Sequence, residues 1–188
     1  TLTEDEYKLV FHDIEQRFSI KHSKGCAIFD DYDQLRDWYH EENIEDPYFW
    51  TRYKRYLEEF SSLNPKSIEL LDKTTLPQIM NCLGNPTEEF EGIRLRRGLV
   101  IGDVQSGKTS TYSGLICKAA DAGVKVVILL AGITETLRQQ TQERIEEDIV
   151  GLTIRTDNFH NNKPLNVGVG TLPGWENKVT TFTLYEDD

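Results

Sequence analysis

Apolar positions recur with helical spacing along the first half of the chain. Tyr7, Val10, Phe11, Ile14 and Phe18 follow the i, i+3, i+4, i+7 rule of an amphipathic helix. Residues 30–33 give an acidic start to a second helix carrying Leu35, Trp38 and Tyr39, a pattern that Pro47 interrupts. A third helix resumes with Trp50, Tyr53, Leu57 and Phe60 on one face. Residues 61–65 read as a turn, with Pro65 suited to the first position of the next helix. Leu70, Leu71, Leu76, Ile79, Met80 and Leu83 carry the spacing on to Gly84-Asn85-Pro86, a stop signal. Aromatics at this spacing read more simply as core than as a platform for stacking single-stranded bases.

After Glu91-Gly92 the texture changes. Residues 98–101 form a short apolar run, 102–109 are punctuated by glycine, and 110–122 read as a helix ending at Gly123. Residues 124–130 are a β-branched run of the kind that forms a strand buried on both faces. Ile133, Leu137, Ile145 and Ile149 mark a further helix closed by Gly151. The order strand, loop, helix, strand, helix predicts the start of a parallel α/β sheet. Residues 165–169 and 179–184 are further candidate strands, separated by Pro173-Gly174. The expected fold class is therefore α/β, with a helical N-terminal region over 1–92 and a nucleotide-binding core with a parallel sheet over 93–188.

Charge sharpens this division. The net charge is −11, with 20 acidic against 10 basic residues over 1–92 and 12 against 11 over 93–188. An acidic surface repels phosphate backbones, so the first region is a poor nucleic-acid groove, whereas the second has room for a local basic site. The 188 residues suffice for one sizeable domain or two small ones. The longest uninterrupted apolar run, 126–131, is far below the roughly 18–20 residues of a membrane span, so no membrane association is expected. Glu4, Asp5 and Glu6 stand where a signal peptide would be basic. Cys26, Cys82 and Cys117 form no CxxC pair, which argues against a disulfide framework or zinc knuckle and for a cytoplasmic setting. No two of His12, His22, His40 and His160 have metal-ligand spacing.

The chemistry lies in Gly102-Asp103-Val104-Gln105-Ser106-Gly107-Lys108-Thr109, which matches GxxxxGK[ST] at every fixed position. A loop that wraps a β-phosphate must turn successive backbone N–H groups inward, and glycine is needed where a side chain would clash. The following helix, beginning near Ser110, directs the positive end of its dipole at the same anion. Lys108 is expected to reach the β- and γ-phosphate oxygens and the Thr109 hydroxyl to ligate Mg²⁺, so ATP and Mg²⁺ are the expected cofactors. These two are the candidate catalytic residues, with 102–110 as the nucleotide-binding segment. A glycine-rich turn with an exposed lysine is the plainer alternative.

An NTP hydrolase adds a second motif, an apolar strand ending in Asp or Asp-Glu. Residues 126–130 run into Ala131-Gly132 without an acid. Glu186-Asp187-Asp188 follow a stretch that alternates apolar with polar residues, which reads as a solvated end. With no initiator methionine either, the chain is expected to be an N-terminal portion that binds nucleotide without efficient hydrolysis, its second motif lying beyond residue 188. Thr134, Thr136 and Arg138 sit in a turn and helix where helicase-type motors touch nucleic-acid backbones. On spacing alone the plainer reading is structural, in which Thr134 caps the helix and Arg138 pairs with surface acids. Gln78, upstream of the cradle where some helicases read adenine, is more simply a surface polar residue.

Arg96-Arg97-Gly98-Leu99-Val100, the cradle itself and Tyr112-Ser113-Gly114-Leu115-Ile116-Cys117-Lys118 resemble the Z-one domain family. Leu129-Leu130-Ala131-Gly132-Ile133 and Leu137-Arg138-Gln139-Gln140-Thr141 are similar to that family's next block, and Trp50-Thr51-Arg52-Tyr53-Lys54-Arg55-Tyr56-Leu57 to its upstream aromatic and basic helix. The resemblance is dense over about residues 94–151. It implies a RecA-like P-loop ATPase related to superfamily two helicases, bacterial, acting on DNA. It also implies a restriction or phage-defence setting beside GHKL-type ATPases, PD-(D/E)XK nucleases and DNA methyltransferases. Such proteins bear an endonuclease label, to which no residue here lends a nuclease centre. The other reading is a scaffolding module whose helical half docks partner defence proteins under control of the bound nucleotide. A small-molecule kinase ranks last, because residues 152–188 hold only Arg155 for an arginine-rich lid.

Overall fold

Helix α1 (Tyr48–Phe60) forms where the aromatic spacing places it, and buries Tyr48, Trp50, Tyr53 and Leu57. Phe60, on the same predicted face, is 60% exposed because the helix ends there and the chain turns away. The computed structural model describes residues 37–89, 95–101, 108–156, 162–175 and 177–178, together with Thr3. The predicted first helix over residues 7–18, the cradle residues 102–107 and the candidate strand 179–184 lie outside the described residues.

Helix α2 (Pro65–Leu70) starts at a capped turn: Asn64 accepts from the Ser67 N–H at 2.7 Å, and Pro65 takes the first helical position as expected. A π-helical turn (Leu71–Thr75) joins it to helix α3 (Leu76–Cys82), which stops at Leu83. Helix α4 (Lys108–Asp121) ends in a Schellman arrangement: the Gly123 N–H bonds to Ala120 and the Val124 N–H to Ala119, with Gly123 at φ 99°. Helix α5 (Glu135–Ile145) begins at Thr134, whose hydroxyl accepts from the Leu137 N–H. A second π turn (Glu146–Val150) follows, closed by Gly151 at φ 78°.

α4 packs on α1 and α3, and the core surrounds it. Trp50, Tyr53, Leu57, Ile68, Leu71, Leu76, Cys117 and Val169 form one buried cluster; Tyr39, Met80, Ala119 and Ala122 form another. Each large side chain buried here contributes about 1.5–3 kcal/mol. Gly114 permits the close approach, since a Cβ there would lie 2.8 Å from Leu76 Cδ1 and 3.0 Å from Trp50 Cζ3.

The predicted fold class requires correction. Among the described residues there is no parallel sheet; strands β1 (Leu152–Thr156) and β2 (Asn162–Asn166) pair as an antiparallel hairpin, Leu152 opposite Asn166, beside a predominantly helical body. Residues 98–101 and 124–130, read as core strands, join no helix or ladder, and beyond Val124, which packs on the core, they face solvent: Ile101 is 85% and Leu130 89% exposed. A β-branched run favours extended backbone, but a strand is completed only by neighbours that take up its N–H and C=O groups. Neither run finds such a neighbour among the described residues. β1 went unread because Thr153 and Arg155 dilute its apolar pattern. Candidate strand 165–169 is displaced: β2 ends at Asn166, and Gly168–Thr171 turns into a 3-10 helix.

The second predicted helix is also absent over its described part. Residues 37–40 carry no helix, and Glu41–Asn43 is a single 3-10 turn. Tyr39 is nevertheless buried, its N–H donating to Asn81 Oδ1 at 2.7 Å, while Trp38 Nε1 donates to the Leu83 carbonyl at 2.8 Å. These two aromatics are core residues on an irregular segment.

The Gly114 contact gives a direct test. Gly114→Val drives branched atoms into Leu76 and Trp50 and is expected to cost about 1–3 kcal/mol in urea denaturation; an unchanged midpoint would contradict the packing.

Candidate nucleotide site

α4 begins at Lys108, so Lys108, Thr109 and Ser110 form the first helical turn directly after the glycine-punctuated segment. The backbone N–H groups of that turn have no partner within the helix and, with the macrodipole, make an end suited to an anion. Thr109 and Ser110 are half-buried there. Gly102, Asp103, Val104, Gln105, Ser106 and Gly107 lie outside the described residues, so the structure brings together only the helical end of the expected set.

Two buried carboxylates fix the helix that presents this end. Toward its C-terminal half, Lys118 is fully buried and donates to Asp72 Oδ1 at 2.9 Å. Asp72 also accepts from Trp50 Nε1 at 2.7 Å and from Lys54 Nζ at 2.8 Å. Lys118 Nζ lies 4.7 Å from the Trp50 ring centroid, a cation–π contact. Burial pushes the Asp72 carboxyl up, but the two lysines outweigh it and hold the group below its ordinary value. Toward the N-terminal half, Ser113 Oγ donates to Asp148 Oδ2 at 2.7 Å, with the Tyr53 hydroxyl at 3.4 Å. Here burial dominates and raises the Asp148 pKa.

The far end of α4 anchors α1. Asp121 accepts from the N–H groups of Phe49 and Trp50 at 2.9 and 2.8 Å, capping a helix whose own N-cap is Pro47. Behind α1, the buried Arg52 donates Nε to the Val169 carbonyl at 3.2 Å and Nη1 to the Val150 carbonyl at 3.3 Å, and Nη2 reaches Asn177. This guanidinium ties α1 to the end of the second π turn and to the 3-10 helix beyond β2.

No family model, curated protein or solved structure matches the chain.

Beside the first turn of α4 lies a cleft of about 440 Å³. Thr109 and Tyr112 form its α4 wall; Leu137, Gln140, Thr141, Glu143, Arg144 and Glu147 line the opposite side. The proposed nucleic-acid residues lie elsewhere on α5. Thr134 caps that helix, and Arg138 Nε donates to both Glu135 carboxylate oxygens at 2.9 and 2.8 Å and Nη1 to Gln142 at 2.8 Å. Thr136 is exposed on the same first turn. Among the described residues no group of three His, Cys, Asp or Glu side chains is placed to hold a metal, and no helix is long and apolar enough to cross a membrane.

Sequence reasoning missed Asp72, Asp148 and Lys118. The available signal was local: Asp72 follows Leu70-Leu71, Asp148 precedes Ile149-Val150, and Lys118 stands between Cys117 and Ala119-Ala120.

The raised Asp148 pKa has a signed consequence. A carboxyl whose folded pKa exceeds its unfolded value favours folding most at low pH, and that contribution is lost as pH rises through the folded value. Asp148→Asn keeps an acceptor for Ser113 and removes the buried charge. It is therefore expected to be more stable than the parent at pH 7, with the advantage shrinking toward pH 4 in thermal melts. A variant less stable at pH 7 would refute the assignment.

Proposed function

We propose that the chain binds Mg-ATP through residues 102–110, as the nucleotide-binding portion of a DNA-directed ATPase in a restriction or phage-defence system. The observation that carries the nucleotide reading is the start of α4 at Lys108, which joins a complete GxxxxGKT motif to the N-terminal end of a firmly anchored helix. In this reading Gly102 and Gly107 would permit the close turn a phosphate requires, and the amides of Asp103, Val104, Gln105 and Ser106 would donate to it. Lys108 neutralises β- and γ-phosphate charge, Thr109 supplies a hydroxyl to Mg²⁺, and the Ser110 amide extends the cradle. Bound Mg²⁺ would screen the phosphate charges and fix their orientation.

The DNA-directed part of the reading is supported by the resemblance in residues 94–151. Arg138, its expected backbone contact, would exchange its Glu135 partner for a phosphate, a change that costs little because both side chains are exposed. The same resemblance supports a cytoplasmic setting beside partner defence proteins.

Isothermal titration of the chain with Mg-ATP tests the nucleotide reading. A saturable heat is expected, weakened about tenfold or more in Lys108→Ala, equivalent to about 1.4 kcal/mol. Absence of heat, or equal affinity in the two proteins, would overturn it.

A further inference from the structure

We propose that residues 126–130 are a docking strand for a second copy of this chain, the two runs pairing antiparallel about Ile128. Exposure along the run alternates with a period of two: Val126, Ile128 and Leu130 are 73%, 79% and 89% exposed, whereas Val127 and Leu129 between them are 47% and 42%. That alternation belongs to an extended strand with one face turned inward and the other outward. The inward face has neighbours in its own chain, since Leu129 and Ala131 line a groove of about 230 Å³ whose other wall includes Arg138, Thr141, Gln142 and Ile145 of α5. Among the described residues the outward face is bare, and no main-chain hydrogen bond joins residues 125–130 to another segment.

Charge favours a second copy at this strand. The chain carries a net −11, so two copies repel over most of their surface, yet residues 122–134 hold no Asp or Glu and a single lysine, Lys125. Symmetry favours it too. A two-fold axis through an antiparallel pair sets one residue opposite its own mate, and Ile128 is the centre of the exposed run. Ile128 then meets Ile128 and Val126 meets Leu130 on the bare face, while Val127 meets Leu129 on the inner one. Every opposed pair is apolar, the cross-strand contact that stabilises a sheet. The two Lys125 ammonium groups end up about 20 Å apart along the pair, beyond the roughly 8 Å screening length of physiological salt. Residues 126–130 expose on the order of 600 Å² per copy, so two copies bring the roughly 1,200 Å² at which stable interfaces begin. A contact that uses the same patch on both molecules closes at two copies.

Sedimentation equilibrium of the full chain without nucleotide, over a micromolar concentration series, is expected to show a reversible monomer–dimer equilibrium. Ile128→Lys opposes two ammonium groups at the centre of the pair and is expected to raise the dimer dissociation constant about tenfold or more. Ile128 is exposed, so this substitution removes no internal packing. Mild oxidation reads the register. Ile128→Cys is expected to cross-link between copies above the parent's background from Cys26, Cys82 and Cys117. Val126→Cys, whose symmetry mate would lie about 14 Å away, is expected to stay at that background. A parent that remains monomeric leaves the strand to some other protein and overturns the proposal. An unchanged dissociation constant in Ile128→Lys, or equal cross-linking of the two cysteine variants, overturns it as well.

Discussion

A lysine removed from water dictates how this molecule is put together. Lys118 has no exposed surface, and an ammonium group in that position is tolerable only beside an opposite charge with good geometry. Asp72 supplies it at 2.9 Å, and Trp50 Nε1 and Lys54 satisfy the remaining carboxylate lone pairs. Removing one partner of such a pair typically costs about 3–5 kcal/mol, whereas a well-packed apolar replacement of both is often neutral. The arrangement therefore works as a register device: α4 can dock on α1 and the α2–α3 segment only where Lys118 meets Asp72.

Both buried carboxylates that hold α4 sit on π turns. Leu71–Thr75 carries the buried Asp72 and Glu146–Val150 the buried Asp148. The two acids then behave differently. Asp72 faces two lysines, which hold its pKa below the ordinary value; Asp148 faces hydroxyls of Ser113 and Tyr53, and burial raises its pKa. One clamp is a buried ion pair and the other a carboxylate hydrogen-bonded by hydroxyls, set in opposite halves of the same helix. Between them they fix the direction in which the first turn of α4 points.

What could be read from the sequence divides along the range of the interactions. The α1 spacing, the Asn64-Pro65 start, the Gly123 stop and the Thr134 and Gly151 boundaries depend on residues a few positions apart, and each has a local chemical signature. The sheet depended on partners. Residues 124–130 have the composition of a central strand, yet with no ladder neighbour among the described residues 125–130 lie exposed, and the hairpin forms from the less apolar 152–166. Trp38 and Tyr39 were legible as core but not as irregular backbone, because their hydrogen bonds go to Leu83 and Asn81 far along the chain. The motif at the head of α4 was fully visible. The carboxylates that orient that helix were hidden among many acids, and the cleft beside it arises from two elements whose approach no local pattern announces.

Amide hydrogen exchange with and without Mg-ATP tests the central claim, that a rigidly clamped α4 offers its N-terminal end to a polyphosphate. Amides of residues 109–112 should become protected on addition of Mg-ATP, while those around Cys117–Lys118 exchange slowly in both conditions. Unaltered exchange at 109–112, or fast exchange around Lys118 in the unliganded chain, would contradict it.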